Sequence, residues 1–173
     1  MKESAVFVLF VCLACVPERY GPAPVEGIEP AAQVVAGRWH TCAILQNRNL
    51  ACWGRNDVMQ LGVDTGGDSV NPPRWISLPA DPVALAAAGF HTCAAFGDGT
   101  VACWGDNVAN QLGVGGTSGA GAGIAPAPVP GLVDVVGLAA GGTRVPVGAL
   151  YANGFSCALR ANQTVQCWGA NSS

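Results

Sequence analysis

Charge is what this sequence has least of. Of 173 residues only 11% are charged, with 8 Lys and Arg against 11 Asp and Glu for a formal net charge of -3. A chain this poor in cations lacks the basic face needed to neutralise phosphates, which argues against nucleic-acid binding. No segment approaches the roughly 20 apolar residues of a transmembrane helix. Gly-x-Ser-x-Gly, His-Glu-x-x-His and paired-carboxylate patterns are all missing, so neither a nucleophile nor an acid–base pair announces itself. The Gly-rich tract Gly113 to Gly123 includes Gly115-Gly116-Thr117, but it lacks the Lys and following Ser or Thr of a phosphate loop and reads as a connection. Only 2 His occur in the chain. Zinc ligands pair at spacings of two to four residues, unlike the wider cysteine spacing here, so metal binding is disfavoured. These absences predict a protein that is not an enzyme and has no cofactor, no metal and no small-molecule substrate.

What is present is apolar and rich in turns. Half of the residues are hydrophobic, with 24 Gly and 12 Pro, a balance that favours an all-β protein over a disordered chain. The length suits one domain with a real core. At the start, Met1-Lys2-Glu3 precedes the apolar run Ser4 to Ala14, which has the length of a secretory signal. Residues 1–15 are therefore expected to direct export. Cys12-Leu13-Ala14-Cys15 resembles the bacterial lipobox, although Cys12 stands where Leu is usual and Glu3 offsets Lys2. Cys15 is accordingly the candidate lipidation site, giving membrane attachment at the cell surface, with simple cleavage and secretion as the alternative.

The central signal is a repeat. His40-Thr41-Cys42-Ala43 runs on to Cys52-Trp53-Gly54-Arg55-Asn56, and His91-Thr92-Cys93-Ala94 to Cys103-Trp104-Gly105-Asp106-Asn107. Phe155-Ser156-Cys157-Ala158 runs on to Cys167-Trp168-Gly169-Ala170-Asn171. Gln60-Leu61-Gly62 and Gln111-Leu112-Gly113 follow the first two copies at the same offset. Short apolar runs precede each copy, at Gln33 to Gly37, Val83 to Gly89 and Val135 to Gly141, as expected of strands buried on both faces. The repeat-bearing region spans 22–173, with units near 22–72, 73–125 and 126–173.

Each unit reads as a hairpin. In the second, Phe96-Gly97-Asp98-Gly99-Thr100 fits a three-residue loop with Gly at the left-handed position. Folding about Asp98 sets Cys93 opposite Cys103 on a non-hydrogen-bonded pair, where Cα atoms approach most closely and a disulfide is feasible. The same spacing predicts Cys42–Cys52 and Cys157–Cys167. Arg48 and Gln163 replace the loop Gly in the other copies, so those turns are expected to be less well formed. Crosslinking roughly ten residues stabilises by about 2–3 kcal/mol in loop-closure models. With Cys12 and Cys15 accounted for by the signal, no free thiol remains, which fits an oxidising compartment.

These residues resemble the regulator of chromosome condensation repeat family, whose units carry a Cys-Ala strand, a hairpin, a Cys-Trp-Gly-x-Asn strand end and a Gln-Leu-Gly turn. The doubled cysteines resemble its exported bacterial branch. The resemblance implies a β-propeller, about three blades of a nominal seven, and covers nearly all of the chain beyond the signal. It implies that Ser173 falls in mid-repeat, so a fragment of a longer protein is expected. The insertion Thr143 to Gly154 is expected to be a loop or a degenerate blade boundary.

Against this scaffold few side chains remain for function. His40 and His91 are read as bonding the repeat's own turn, and Trp53, Trp104 and Trp168 as packing between blades. Asn56, Asn107 and Asn171 are read as satisfying backbone groups where the strand ends. Trp39 and Trp75 do not repeat and are the candidates for contact with a partner. The leading expectation is an exported, non-enzymatic surface for protein interaction. The alternatives are a secreted inhibitor of an extracellular enzyme, a carbohydrate-binding module and, least favoured, the guanine-nucleotide exchange associated with the family's namesake.

Overall fold

The structure is a computed structural model that describes residues 24–117, 122–142 and 154–170. The expected signal, with Cys12 and Cys15, lies outside the described residues, as do most of the insertion after Gly142 and the segment beyond Ala170. The described residues contain strands and turns and no helix.

Three antiparallel sheets follow one another along the chain. The first holds β1 (Ala31–Ala36), β2 (His40–Leu45), β3 (Leu50–Gly54) and β4 (Val70–Ile76), in that order. The second holds β5 (Pro82–Ala88), β6 (His91–Phe96), β7 (Val101–Asp106) and β8 (Gly123–Pro128). The third holds β9 (Val135–Gly141), β10 (Phe155–Arg160) and β11 (Val165–Gly169). The inner strands β1, β5 and β9 lie against one another, so the sheets stack as blades about a common inner edge. Each of the first two sheets ends on a Pro-bearing outer strand, β4 or β8. The run Pro126-Ala127-Pro128, placed by the repeat spacing at the head of the third unit, closes the second sheet instead. Proline suits that place because an edge strand can spare an N–H.

The middle hairpin of every blade is built alike. Its cysteines face each other across the ladder and are bonded as Cys42–Cys52, Cys93–Cys103 and Cys157–Cys167, each with Cα atoms 4.1 Å apart. The three turns are equally formed, which corrects the expectation for the two without Gly. Gly99 has φ 81°, and Arg48 and Gln163 adopt the same left-handed state at 68° and 67°. The closing bond recurs from Phe96 N to Thr100 O at 3.0 Å, Leu45 N to Asn49 O at 2.9 Å and Arg160 N to Thr164 O at 2.9 Å. What holds the turns is the residue at the loop centre. The Oδ1 of Asn47, Asp98 and Asn162 accepts the backbone N–H two residues on, at 3.0, 2.9 and 3.1 Å. Such an Asx turn supports a left-handed neighbour.

Alternation along the strands assigns the two blade faces. Cys42, Ile44, Leu50 and Cys52 on the first blade pack against Leu85, Ala94, Phe96, Ala102 and Trp104 on the second. Cys93, Ala95, Val101 and Cys103 on the second pack against Val135, Leu138, Ala158 and Trp168 on the third. At these two boundaries the disulfides Cys42–Cys52 and Cys93–Cys103 thus face the next blade, and Trp104 and Trp168 face the previous one. The core lies between the sheets, so no blade buries its apolar surface alone.

Candidate functional site

The residues that repeat most strictly meet at the blade boundaries. Within the first blade, Asn56 folds the segment after β3 into a compact turn. Its Oδ1 accepts Leu61 N–H at 3.0 Å, and its Nδ2 donates to Val63 O at 2.7 Å and Thr65 Oγ1 at 2.8 Å. Gln60 Oε1 accepts Val58 N–H at 3.0 Å, and its Nε2 reaches Asp57 at 2.9 Å. Asn107 and Gln111 do the same in the second blade, accepting from Leu112 N at 2.9 Å and Ala109 N at 2.8 Å. With their side chains committed to the turn, Gln60 and Gln111 present their backbone carbonyls to the following blade.

Two groups converge on that carbonyl at the first boundary, and a third stands behind one of them. Thr92 Oγ1 and Trp104 Nε1 both donate to Gln60 O at 3.0 Å, and His40 Nε2 lies 2.8 Å from Thr92 Oγ1. Because the hydroxyl hydrogen of Thr92 goes to the carbonyl, its oxygen accepts from His40, which assigns the imidazole proton to Nε2. The second boundary repeats the hydroxyl and histidine but not the indole bond. Ser156 Oγ donates to Gln111 O at 2.9 Å and His91 Nε2 lies 3.0 Å from Ser156 Oγ, while Trp168 Nε1 is buried without a hydrogen-bond partner among the described residues. The histidines are structural, yet their partners are the hydroxyls of the next blade and not their own turn. Burial holds both imidazoles down to a pKa of about 4. For His91 the nearby His40 lowers it further, while a hydrogen bond with the Phe155 backbone opposes.

The glycines of the motifs are places where a side chain will not fit. Gly54, Gly105 and Gly169 sit at φ near +101°, +104° and +107°, each with a Cβ position 2.5 Å from the carbonyl oxygen of Trp39, Phe90 or Gly154. Gly62, at φ +85°, lies under the Trp104 indole, and Gly113, at φ +68°, under that of Trp168.

The two tryptophans expected to meet a partner are both exposed, Trp39 at 53% and Trp75 at 55%, but they are not brought together. Trp39 lies between β1 and β2, beneath the Arg38 guanidinium at 5.5 Å, and borders a cavity of about 530 Å³ with Arg55, Ser69 and Asn71. Trp75 projects from the outer strand β4, where it pairs with Ala51. Trp39 has a counterpart in the second blade. Arg55 N donates to Trp39 O at 2.8 Å, as Asp106 N donates to Phe90 O at 2.9 Å. Phe90 is only 8% exposed, with the Arg55 guanidinium of the first blade 5.7 Å above its ring. Trp39 thus holds, on the first blade's outward face, a position that is packing at the next boundary. Trp75 is the candidate that no boundary accounts for. Among the described residues no three His, Cys, Asp or Glu side chains converge as a metal site needs.

Two four-stranded antiparallel sheets and a three-stranded one, stacked on their inner strands and joined at both boundaries by a histidine, a hydroxyl and a packed tryptophan, define an array of β-propeller blades. The regulator of chromosome condensation (RCC1) repeat profile matches residues 31–60 and 83–111. A Drosophila melanogaster regulator of chromosome condensation is 34% identical over 89 residues, which is 51% of this chain and 16% of the relative. The human probable E3 ubiquitin-protein ligase HERC3 is 39% identical over 84 residues, 47% of this chain and 8% of the relative. The crystal structure of Prp20p from Saccharomyces cerevisiae superposes with a TM-score of 0.66 at 21% identity, covering 83% of this chain and 34% of Prp20p. Residues 31–60 and 83–111 therefore match the regulator of chromosome condensation repeat, and the chain spans well under half the length of these relatives.

Proposed function

We propose that this chain is an exported, non-enzymatic propeller segment whose blade-connecting loops form a protein-binding surface. The observation that carries this reading is where the distinctive side chains go. The histidines, Gln60, Gln111 and Trp104 are consumed in holding blades together, and Asn56 and Asn107 in folding the turn within each blade. What differs between blades is the stretch after each Gln-Leu-Gly turn, Val63 to Ser69 in the first and Val114 to Thr117 in the second, joined by the exposed Trp75 on the rim. Variable loops on a regular scaffold are how repeat arrays carry specificity. Prp20p, which shares the fold, is described as binding Gsp1p and histones, a precedent for protein partners in this architecture. The three cysteine pairs support an oxidising compartment, and export through residues 1–15, with lipid on Cys15, belongs to the same proposal.

An inhibitor of a secreted enzyme is a special case of this reading. Carbohydrate binding through Trp39 or Trp75 is the further alternative, and the counterpart of Trp39 in the second blade, Phe90, is boundary packing. Guanine-nucleotide exchange belongs to the family's namesake and is not what this reading rests on.

The test compares the chain with two variants in which 64–69 or 114–117 are replaced by Gly and Ser, and with Trp75→Ala. Each is immobilised against the extracytoplasmic fraction of its own organism under non-reducing conditions. A protein retained by the parent and lost from at least one variant of unchanged thermal midpoint supports the reading. Retention by all variants alike, or binding to a glycan array in preference to protein, overturns it.

A further inference from the structure

His40 and His91 are 3% and 1% exposed, and each reaches across a blade boundary to a hydroxyl that is itself committed. Thr92 and Ser156 give their hydrogens to the Gln60 and Gln111 carbonyls, so each can only accept from the imidazole. The first boundary is thereby built for a neutral His40 ring carrying its proton on Nε2; at the second, a hydrogen bond with the Phe155 backbone favours the charged His91 ring and burial outweighs it. Nδ1 of His40 is buried without a hydrogen-bond partner, and the ring lies hard against Gly37, where even a Cβ would fall 2.2 Å away. A second proton on that ring would arrive at an atom with nothing to receive it and would place a full charge inside the interface.

The ionisable groups on the surrounding elements do not offset such a charge. On β6 and β7 they are the other imidazole and Asp106, whose Oδ2 is taken by Gln111 Nε2 at 3.0 Å. Past β3 they are Arg55 and Asp57, paired with each other at 2.7 Å. The inner strands β1, β5 and β9 contribute no charged residue. In the third blade the corresponding position is Phe155, 41% exposed, so among the described residues the device occurs at two boundaries.

We propose that His40 and His91 form an acid-sensitive latch, joining each blade to the next while neutral and releasing it when protonated. The inference concerns the scaffold and stands independently of what the loops bind. The direction follows from burial, which holds both imidazoles at about 4 in the folded chain against about 6.5 when unfolded. Between those values the unfolded state binds more protons. The stabilisation is therefore complete above about pH 6.5 and is lost as pH falls towards 4, by up to tenfold in the folding equilibrium per pH unit for each imidazole.

The experiment measures amide hydrogen exchange and the thermal midpoint of the full chain from pH 7.5 to 4, with disulfides intact. It is repeated on His40→Gln, His91→Gln and the double variant, since Gln keeps an N–H donor and does not titrate in this range. Carboxylates are common to all four proteins and cancel in the comparison. Expected is a fall in midpoint and in protection of β5, β6, β9 and β10 below pH 6.5, with less than half that fall in the double variant. Imidazole Cε1–H resonances of the unmutated chain read the titration directly, whether or not the variants fold. A midpoint flat between pH 7 and 4.5, imidazoles titrating near 6.5 in the folded chain, or a folded double variant with the full slope would each overturn the latch.

Discussion

Trp104 Nε1 donates to Gln60 O at 3.0 Å, and the bond crosses from the second blade to the first. The indole is fully buried in the cluster between these blades, so a repeated motif residue is the chief apolar contact and also a polar tie. Trp104→Phe keeps most of the apolar area, loses the donor and leaves space where the larger ring was. Thr92 still satisfies the carbonyl, so the expected loss is about 2 kcal/mol. Urea titration of the oxidised protein checks it. A loss below about 0.5 kcal/mol would mean that the indole is not the tie between blades.

Gly62 lies beneath that same ring. A Cβ there would be 3.0 Å from Trp104 Nε1 at a φ of +85°, whereas Gly66, at φ +68°, has nothing within 4 Å. Gly62→Ala and Gly66→Ala share the backbone strain, and only the first adds the clash. The strain alone is expected to cost about 1 kcal/mol, and the clash to add about 1–2 kcal/mol. Equal losses in the two variants would remove the packing argument.

Arg48 occupies the left-handed place that Gly99 fills in the second hairpin, with φ 68°. Arg48→Gly removes the steric cost of a side chain in that region while making the unfolded chain more flexible. The net expectation is a gain of about 0.5 kcal/mol, read as a small rise in thermal midpoint. Asn47→Ala, which removes the bond from Asn49 N to Oδ1 at 3.0 Å, is expected to lose about 1 kcal/mol. A stabilised Asn47→Ala would show that the Asx bond does not hold the turn.

What was legible in the sequence is what is local. Cysteines ten residues apart lie in one hairpin, and counting out from Asp98 is enough to set Cys93 against Cys103. The propeller class followed from the family resemblance carried by the short pattern that recurs at Trp53, Trp104 and Trp168. Relations between blades were not legible. Thr92 and Ser156 stand beside the motif cysteines in plain view, but the histidines they meet lie one whole blade away. The turn residues Asn47, Asp98 and Asn162 were hidden by attention to Gly99, although an Asx side chain supplies the support that the missing Gly seemed to demand. Trp39 looked singular because its counterpart is a Phe and the loop before it is one residue longer, so the shared role shows only in the backbone bonds at Trp39 O and Phe90 O.

Each blade is built on a hairpin closed within itself, and one measurement reaches that most directly. Peptide mass mapping of the oxidised, unreduced protein is predicted to recover Cys42–Cys52, Cys93–Cys103 and Cys157–Cys167 as the linked pairs. A linkage between cysteines of two different hairpins, or free thiols at these six positions in protein kept from reductant, would contradict it.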